Sequence, residues 1–259
     1  LANDDEQGFI DELLEGQPDA HAYFGRMKRQ NKQGPALLAG RPEPREFTVE
    51  EVAAGLADGS LALVDTRPVD AVHRGTVTGA LNVPSLGKAA THIGWAFDPE
   101  ADDAGLVVLA DDLETASEYD DHFVRVGVDS LVGYVATLEG LPQTVPPMVS
   151  PAGLQDLLNR GPHAVLLHVR NRNENAHGTV PGAEQLSAGK VVFHQDELPA
   201  KDSGPLITFC QSGMRNSVAA NALRRVGYDV IELDGSYAGW SAWAAEQNTD
   251  QTHTSGATR

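Results

Sequence analysis

The chain has a single cysteine, Cys210, among 259 residues, so it cannot form an internal disulfide. It is also poor in basic residues, with 19 Lys and Arg against 37 Asp and Glu, a formal net charge of -18. This charge disfavours nucleic-acid and anionic membrane partners, because their phosphates would be repelled. No apolar run approaches the roughly 18 residues that span a bilayer, and "LANDDEQGF" lacks the features of a secretory signal. These absences predict a globular cytoplasmic protein.

An internal repeat organises the middle of the chain. "LALVDTRPVDAVHRGTVTGALNVP" (61–84) aligns without gaps on "AVLLHVRNRNENAHGTVPGAEQLS" (164–187), which places Arg67 on Arg170. The tripeptide Gly-Thr-Val and a later Gly-Ala also coincide, and "GLVVLADD" (105–112) aligns on "PLITFCQS" (205–212). Apolar runs of strand length alternate with helical patterns in both copies, which predicts parallel sheets flanked by helices. The fold class is therefore α/β, with two tandem domains over 43–146 and 147–246.

The remaining segments differ from the repeat in composition. Residues 1–42 have helical apolar spacing with a predicted break at Pro18 and an end near "QGP", followed by the Pro-rich stretch "AGRPEPREF". "GLPQTVPPMVSP" carries four prolines and is predicted to link the two domains. Within the domains, Thr48 with Glu51 and Ser150 are predicted to cap helices. Residues 247–259 lack large apolar side chains and are expected to be a disordered tail.

Cys210 ends the apolar run "LITF", which has the character of a central strand, and is followed by "QSGMR" and a helical pattern. Sites in open α/β sheets form beyond the carboxyl ends of such strands. Backbone N–H groups at the start of a helix can converge on an anion, and Gly213 allows a tight turn. The loop thus predicts a cradle that holds Cys210 as a thiolate or persulfide, with Arg215 adding a permanent positive charge.

The spacing Cys-x4-Arg at a strand-to-helix turn resembles the active-site loop of rhodanese-type sulfurtransferases. "VRNRNENAHGTVPGAEQLS" and "VIELDGSYAGWSAW" are similar to two further segments of that family. The resemblance covers 148–245 strongly and 47–142 weakly. It implies that Cys210 is the sulfur-accepting nucleophile and Arg215 its electrostatic anchor. The cradle it implies consists of Gln211, Ser212, Gly213 and Met214.

Two residues depart from the family pattern. His168 stands where an aspartate is usual, which alters how Arg170 is held, and Asn216 replaces the usual Ser or Thr while still able to cap the helix. Phosphatases of related architecture separate cysteine and arginine by five residues, a loop wide enough for phosphate. Four residues make a smaller cradle, which favours sulfur transfer over a phosphatase or an arsenate reductase.

The resemblance implies a two-step reaction without a cofactor. Cys210 attacks the sulfane sulfur of thiosulfate or a small persulfide, and an external thiophilic acceptor then removes it. No second cysteine is present to discharge the persulfide. The first copy has Ala110 followed by Asp111 and Asp112 at the corresponding loop, so the first domain is predicted to be catalytically silent.

Residues 1–42 are similar to the C-terminal end of metallo-β-lactamase-fold proteins fused to rhodanese domains, the persulfide dioxygenase–sulfurtransferase type. The chain is accordingly expected to be the C-terminal part of such a fusion, and a dioxygenase domain is a possible partner. The histidines show no ligand-like cluster, so no metal is predicted. An alternative function is a non-catalytic sulfur-relay or docking module for a partner dioxygenase.

Overall fold

The computed structural model describes residues 5–15, 17, 20–34, 40–159 and 164–255. The helices are α1 Glu6–Leu14, α2 Phe24–Gln33, α3 Val49–Asp58, α4 Val69–Arg74, α5 Ala89–Ala96, α6 Leu113–Val124, α7 Pro151–Asn159, α8 Arg172–Ala176, α9 Met214–Arg225 and α10 Ser236–Ser255. The strands are β1 Arg45–Glu46, β2 Leu61–Asp65, β3 Thr76–Val77, β4 Leu81–Asn82, β5 Gly105–Leu109, β6 Leu131–Val135, β7 Gln143–Thr144, β8 Met148–Val149, β9 Val165–His168, β10 Glu184–Gln185, β11 Leu206–Phe209 and β12 Val230–Leu233.

Two five-stranded sheets carry the fold, in the orders β1-β6-β5-β2-β4 and β8-β12-β11-β9-β10. The two orders correspond strand for strand, and every pairing within them is parallel. The predicted α/β class with parallel sheets and flanking helices is therefore confirmed. We call residues 43–146 the first half and residues 147–246 the second half.

The central strands form because their apolar runs are buried on both faces, as parallel strands between helices must be. All four residues of β11 are buried, as are the middle residues of β5 and the last four of β2. The predicted caps are also present. The Thr48 side chain accepts from the Glu51 N–H in a capping box, and the Ser150 hydroxyl accepts from the Gly153 N–H at 3.1 Å.

Helix α9 lies in the second half of the chain but packs against both halves. Its N-terminus follows the cysteine loop of the second half, yet Val218 and Ala222 are buried in the hydrophobic core of the first half. The Ser217 hydroxyl donates to Oδ1 of Asn82 on β4 at 2.8 Å, and both residues are buried. The first half therefore supports the helix that begins at the cysteine.

The predicted linker between the halves and the Pro-rich stretch before the first half both contain strands. In the stretch that joins the halves, β7 pairs antiparallel with β3, and β8 forms the edge of the second sheet beside β12. At the end of "AGRPEPREF", β1 pairs with β6. Proline is compatible with these positions because short edge strands leave some N–H groups without a partner in the sheet. The prolines in these stretches therefore flank short strands and do not indicate a connection without secondary structure.

The N-terminal segment packs against both halves, which its composition alone did not indicate. Tyr23 is 5% exposed and joins the core of the first half, and Arg26 donates to the Val126 carbonyl at 2.9 Å. The Ala22 N–H donates to the Gly189 carbonyl of the second half at 3.3 Å. The predicted break at Pro18 and part of the predicted end at 33–35 lie outside the described residues. The resemblance to a metallo-β-lactamase-fold terminus stays a prediction.

The disorder expected for 247–259 stays a prediction, although the described part of this tail is helical. Helix α10 continues to Ser255, because backbone hydrogen bonds propagate from its packed first turns around Trp240, which is 7% exposed. Residues 256–259 lie outside the described residues. Across the described part of the chain, no helix combines the length and apolarity needed to cross a membrane.

Candidate active site

Cys210 follows the last residue of β11, at the carboxyl edge of the second sheet. Its side chain is buried, with 1% of the residue exposed, and its Sγ accepts a hydrogen bond from the Gly213 N–H at 3.1 Å. The backbone is held on both sides, since the Cys210 N–H donates to the Ser236 hydroxyl and its carbonyl accepts from the Tyr237 N–H at 3.0 Å. The sulfur is thus fixed at the start of α9, where the helix dipole favours negative charge.

The four residues after Cys210 form the turn into α9. Gln211 and Ser212 are exposed, and the Gln211 carbonyl accepts from the Ala238 N–H at 3.1 Å. Gly213 has φ of 107°, a conformation that L side chains rarely adopt, and this backbone directs its N–H to the sulfur. Met214, at 39% exposure, begins the helix. The residues expected to form the cradle lie on one loop, and the Gly213 N–H contacts the sulfur, while their role as a cradle stays a prediction.

The Arg215 side chain forms an ion pair with a carboxylate. Its Nη1 and Nη2 donate to the two carboxylate oxygens of Glu174 on α8, at 2.6 Å and 2.8 Å. The Glu174 hydrogen bond is the main cause that raises the pKa of Arg215, and charge and hydrogen-bond contributions from Cys210 add to it. Arg215 in turn is the main cause that lowers the pKa of Glu174. The guanidinium is thus held by a carboxylate on α8, and nothing in the sequence pattern indicated Glu174.

A second arginine reaches the same loop from β9. Arg170 is 6% exposed, and its Nη1 donates to Oε1 of Gln211 at 2.5 Å. Its Nε donates to Nε2 of His168 at 2.6 Å and its Nη2 to the Gly178 carbonyl at 2.5 Å. Its guanidinium lies over the Tyr237 ring, 4.6 Å from the centroid. His168 therefore does change how Arg170 is held, because Nε of Arg170 donates to a ring nitrogen instead of to a carboxylate oxygen.

Asn216 does not cap α9. It is the third residue of the helix, and its Nδ2 donates to Oε2 of Glu232 on β12 at 2.9 Å. Glu232 is 1% exposed and also accepts from Nη1 of Arg224 at 2.9 Å, while Nε2 of His73 lies 3.2 Å from its Oε2. Burial works to raise the pKa of Glu232, but the contacts with His73 and Arg224 outweigh it and lower the pKa. The cap prediction was wrong because a buried carboxylate on a neighbouring strand offers Asn216 a better partner.

A cavity of about 500 Å³ opens beside the cysteine loop. Ser212, Gly213 and Met214 line one side, and Asp70 and His73 of α4 in the first half line another. The sequence pattern gave no sign that the first half borders the site, because contacts between distant segments leave no periodic signal. The described residues contain no group of three or more His, Cys, Asp or Glu side chains able to hold a metal ion.

The corresponding loop of the first half is built differently. Ala110 occupies the position of Cys210, and the Asp112 side chain caps α6 by accepting from the Thr115 N–H at 2.8 Å. The helix N-terminus that faces the sulfur in the second half is therefore satisfied here by a carboxylate. Arg67 pairs with buried Asp65, whose two oxygens it contacts at 2.9 Å and 2.6 Å.

Comparison with known proteins identifies the family. A model of the rhodanese-like domain matches residues 150–242. A human thiosulfate:glutathione sulfurtransferase is 32% identical over 107 residues, which cover 36% of this chain and 92% of the human protein. The chain belongs to the rhodanese-like family.

The rhodanese-like domain of this chain coincides with the second half, and it contains the whole cysteine loop. Among solved structures, a human single-domain sulfurtransferase is 31% identical, covering 37% of this chain and 96% of its own, with a TM-score of 0.34. A thiosulfate sulfurtransferase from Pseudomonas aeruginosa is 19% identical, covering 84% of this chain and 46% of its own, with a TM-score of 0.35.

Proposed function

We propose that this protein is a sulfurtransferase that carries sulfane sulfur as a persulfide on Cys210. The observation that carries the proposal is the hydrogen bond from the Gly213 N–H to Sγ of Cys210, 3.1 Å long, at the N-terminus of α9. A donor aimed at the sulfur favours its anionic form, which is the nucleophile. Membership of the rhodanese-like family supports this chemistry, and the human relative is itself named for thiosulfate and glutathione.

The reaction runs in two displacements at sulfur. The Cys210 thiolate attacks the outer sulfur of thiosulfate, so that a new S–S bond forms while the S–S bond of the donor breaks. Sulfite leaves with the electron pair of that bond, and the persulfide anion stays in the loop. An external thiophile, such as cyanide, sulfite or a small thiol, then attacks the outer sulfur and releases the Cys210 thiolate.

The loop residues divide this work. Gly213 donates to the sulfur, while Gln211, Ser212 and Met214 complete the turn that surrounds it. Arg215 supplies positive charge beside the sulfur and is kept in position by Glu174. A small-molecule donor and acceptor reach the loop from the cavity of about 500 Å³. No step in this scheme calls for a cofactor or a metal.

We infer further that the first half is a degenerate, catalytically silent copy of the same domain. Its sheet has the same strand order as the second, and its loop lacks a nucleophile at Ala110. The carboxylate of Asp112 occupies the helix start where an anion would bind. The tandem division at 146–147 is part of this proposal.

Intact-mass analysis after incubation with thiosulfate tests the proposal. We expect the wild-type protein to gain one sulfur atom and Cys210→Ser to gain none. Equal labelling of both proteins would remove Cys210 from the mechanism. Because Ser closely matches Cys in size, the variant also serves as the fold control, checked by its urea unfolding midpoint.

Turnover of thiosulfate with cyanide separates an enzyme from a docking module. A sulfurtransferase releases thiocyanate repeatedly from one equivalent of protein. A relay module that depends on a partner dioxygenase would load sulfur once or not at all and show no turnover. Hydrolysis of an aryl phosphate by the same preparation would instead indicate a phosphatase.

A further inference from the structure

The protonation state of His168 follows from its contacts. Nε of Arg170 can only donate, so Nε2 of His168, 2.6 Å away, must accept with its lone pair. The imidazole proton therefore sits on Nδ1 and points to Oδ1 of Asn175 at 2.7 Å, with the Thr179 hydroxyl at 3.0 Å. The ring also stacks on Phe209, with centroids 4.6 Å apart. His168 is thus a neutral, fully buried imidazole in a single tautomer.

Arg170 consequently keeps its positive charge without a carboxylate of the described residues in direct contact, although its charge also contributes to lowering the pKa of Glu174. Its hydrogen-bond acceptors are a ring nitrogen, an amide oxygen and a backbone carbonyl, all of them neutral. Within the part of the chain that the structure describes, no carboxylate forms an ion pair with this guanidinium, although it is 6% exposed. In the first half the equivalent Arg67 is neutralised by Asp65 at 2.6 Å.

The same guanidinium contacts the cysteine loop from two directions. Nη1 holds the side chain of Gln211, the residue after Cys210. The plane of the guanidinium lies over Tyr237, whose N–H donates to the Cys210 carbonyl at 3.0 Å. The Arg170 side chain thus both brings a positive charge to the cysteine loop and holds the position of two residues beside Cys210. His168 in turn orients Arg170.

Among the described residues, the charged groups that act on His168 besides Arg170 are Glu174 and Arg215. Both carboxylate oxygens of Glu174 on α8 accept hydrogen bonds from Arg215 on α9. Burial is the main cause that lowers the pKa of His168, and the charges of Arg170 and Arg215 lower it further while Asn175 and Glu174 oppose them. The loop is therefore surrounded by two guanidinium groups and one carboxylate.

We propose that His168 is a positioning residue for the sulfur transfer at Cys210, because as a neutral acceptor it orients Arg170 without cancelling its charge. This inference rests on the proposed function. The net positive charge favours the thiolate and persulfide forms of Cys210 and attracts anionic sulfur donors such as thiosulfate. The aspartate that the family usually has would orient the arginine equally well but neutralise it.

The test compares His168→Asp with His168→Asn. Both variants present an oxygen that can accept from Nε of Arg170, but only Asp adds a negative charge. The readout is the pH dependence of iodoacetamide alkylation of Cys210, the only thiol of the chain. We expect the midpoint to move up by about one pH unit for Asp and to stay near wild type for Asn. The KM for thiosulfate should rise about tenfold for Asp alone.

Equal midpoints for the Asp and Asn variants would overturn the proposal. Should His168→Asp fail to unfold cooperatively, Arg170→Met removes the same charge by another route, and an unchanged midpoint there would overturn it as well. Asp65→His exchanges the same residue types in the first half and should leave the midpoint unchanged. A shift as large as that of His168→Asp would mean that altered stability causes the effect, and the proposal would fail.

Alkylation needs no turnover, so it remains informative whatever the activity. If the wild-type protein takes up no sulfur from thiosulfate, the proposed function fails while the alkylation profiles still decide the charge role of His168. If sulfur is taken up and the profiles coincide, only the inference about His168 fails.

Discussion

The two halves have similar hydrogen-bond frameworks despite large differences in sequence. Arg67 donates to the Gly75 carbonyl at 2.8 Å, and Arg170 donates to the Gly178 carbonyl at 2.5 Å. In each half a threonine hydroxyl, Thr76 or Thr179, lies within 3.0 Å of the partner of that arginine. The alignment drawn from sequence therefore corresponds to equivalent positions in space.

The halves differ in charge rather than in framework. Asp65 neutralises the arginine of the first half, and Asp112 occupies the helix start. In the second half His168 leaves Arg170 charged, and the helix start faces Cys210. The shared hydrogen bonds thus belong to the fold, whereas the positive charge accompanies the thiol. The same arrangement of hydrogen bonds is therefore compatible with different charges around the loop.

The largest expected effect comes from Gly213→Ala, which makes the loop of the second half resemble the first, where Leu113 stands at this position in the alignment. The φ of 107° is strained for alanine by about 1–3 kcal/mol, although a Cβ would meet no atom within 4 Å. The loop should relax and turn the N–H away from Sγ. We expect sulfur transfer to fall about a hundredfold, measured as thiocyanate formation.

Leu113→Ala is the matched control, because this exposed residue begins α6 in the first half, at the position equivalent to Gly213. Activity of that variant should remain at the wild-type level. Retention of full activity by Gly213→Ala would mean that the hydrogen bond to the sulfur is dispensable.

A second difference between the halves concerns acid sensitivity. Nδ1 of buried His92 on α5 has no hydrogen-bond partner within the described part of the chain, whereas both ring nitrogens of His168 are bonded. Burial lowers the pKa of His92 to about 4, with a smaller contribution from Lys88. The unfolded chain binds this proton near the ordinary value of 6.5. The contribution of His92 to the free energy of unfolding is therefore fully present above pH 6.5 and is lost as the pH falls towards 4.

We expect the unfolding free energy to be about 2 kcal/mol smaller at about pH 5 than at about pH 8 on account of His92. The measurement is urea denaturation of wild type and His92→Gln at both pH values. Subtracting the two proteins removes the opposite contribution of Asp120, whose pKa burial raises to about 6. An identical pH dependence in both proteins would exclude His92 as the source.

The smallest expected effect is a loss of stability on removing the hydrogen bond between Asn82 of the first half and Ser217 of the second. Asn82 and Gln185 are equivalent in the alignment, and each donates to the carbonyl of its arginine, at 3.1 Å and 2.7 Å. Only Asn82 also accepts from the Ser217 hydroxyl of α9. Asn82→Ala should lower the unfolding free energy by about 1–2 kcal/mol, because it leaves buried polar groups unpaired. Gln185→Ala should lower it by less, and a larger loss for Gln185→Ala in urea denaturation would contradict this ranking.

Much of the architecture was readable from the chain because its signals are local. The runs 61–64, 105–109, 165–167 and 206–209 form buried parallel strands, and the caps at Thr48 and Ser150 form as expected. Cys210 lies at a strand-to-helix turn because an apolar run, a glycine and a helical pattern follow one another directly. The strands β7 and β8 were missed because their pairing with distant segments overrides the proline signal.

By itself the sequence determined the repeat, the class of fold and the single possible nucleophile, since all three depend on residue type and spacing along the chain. Only the tertiary structure decided that Glu174 holds Arg215, that His168 leaves Arg170 charged, and that α9 is packed by the first half. Those contacts join segments far apart in sequence, and their energies depend on burial and distance, which appear only when the chain has folded.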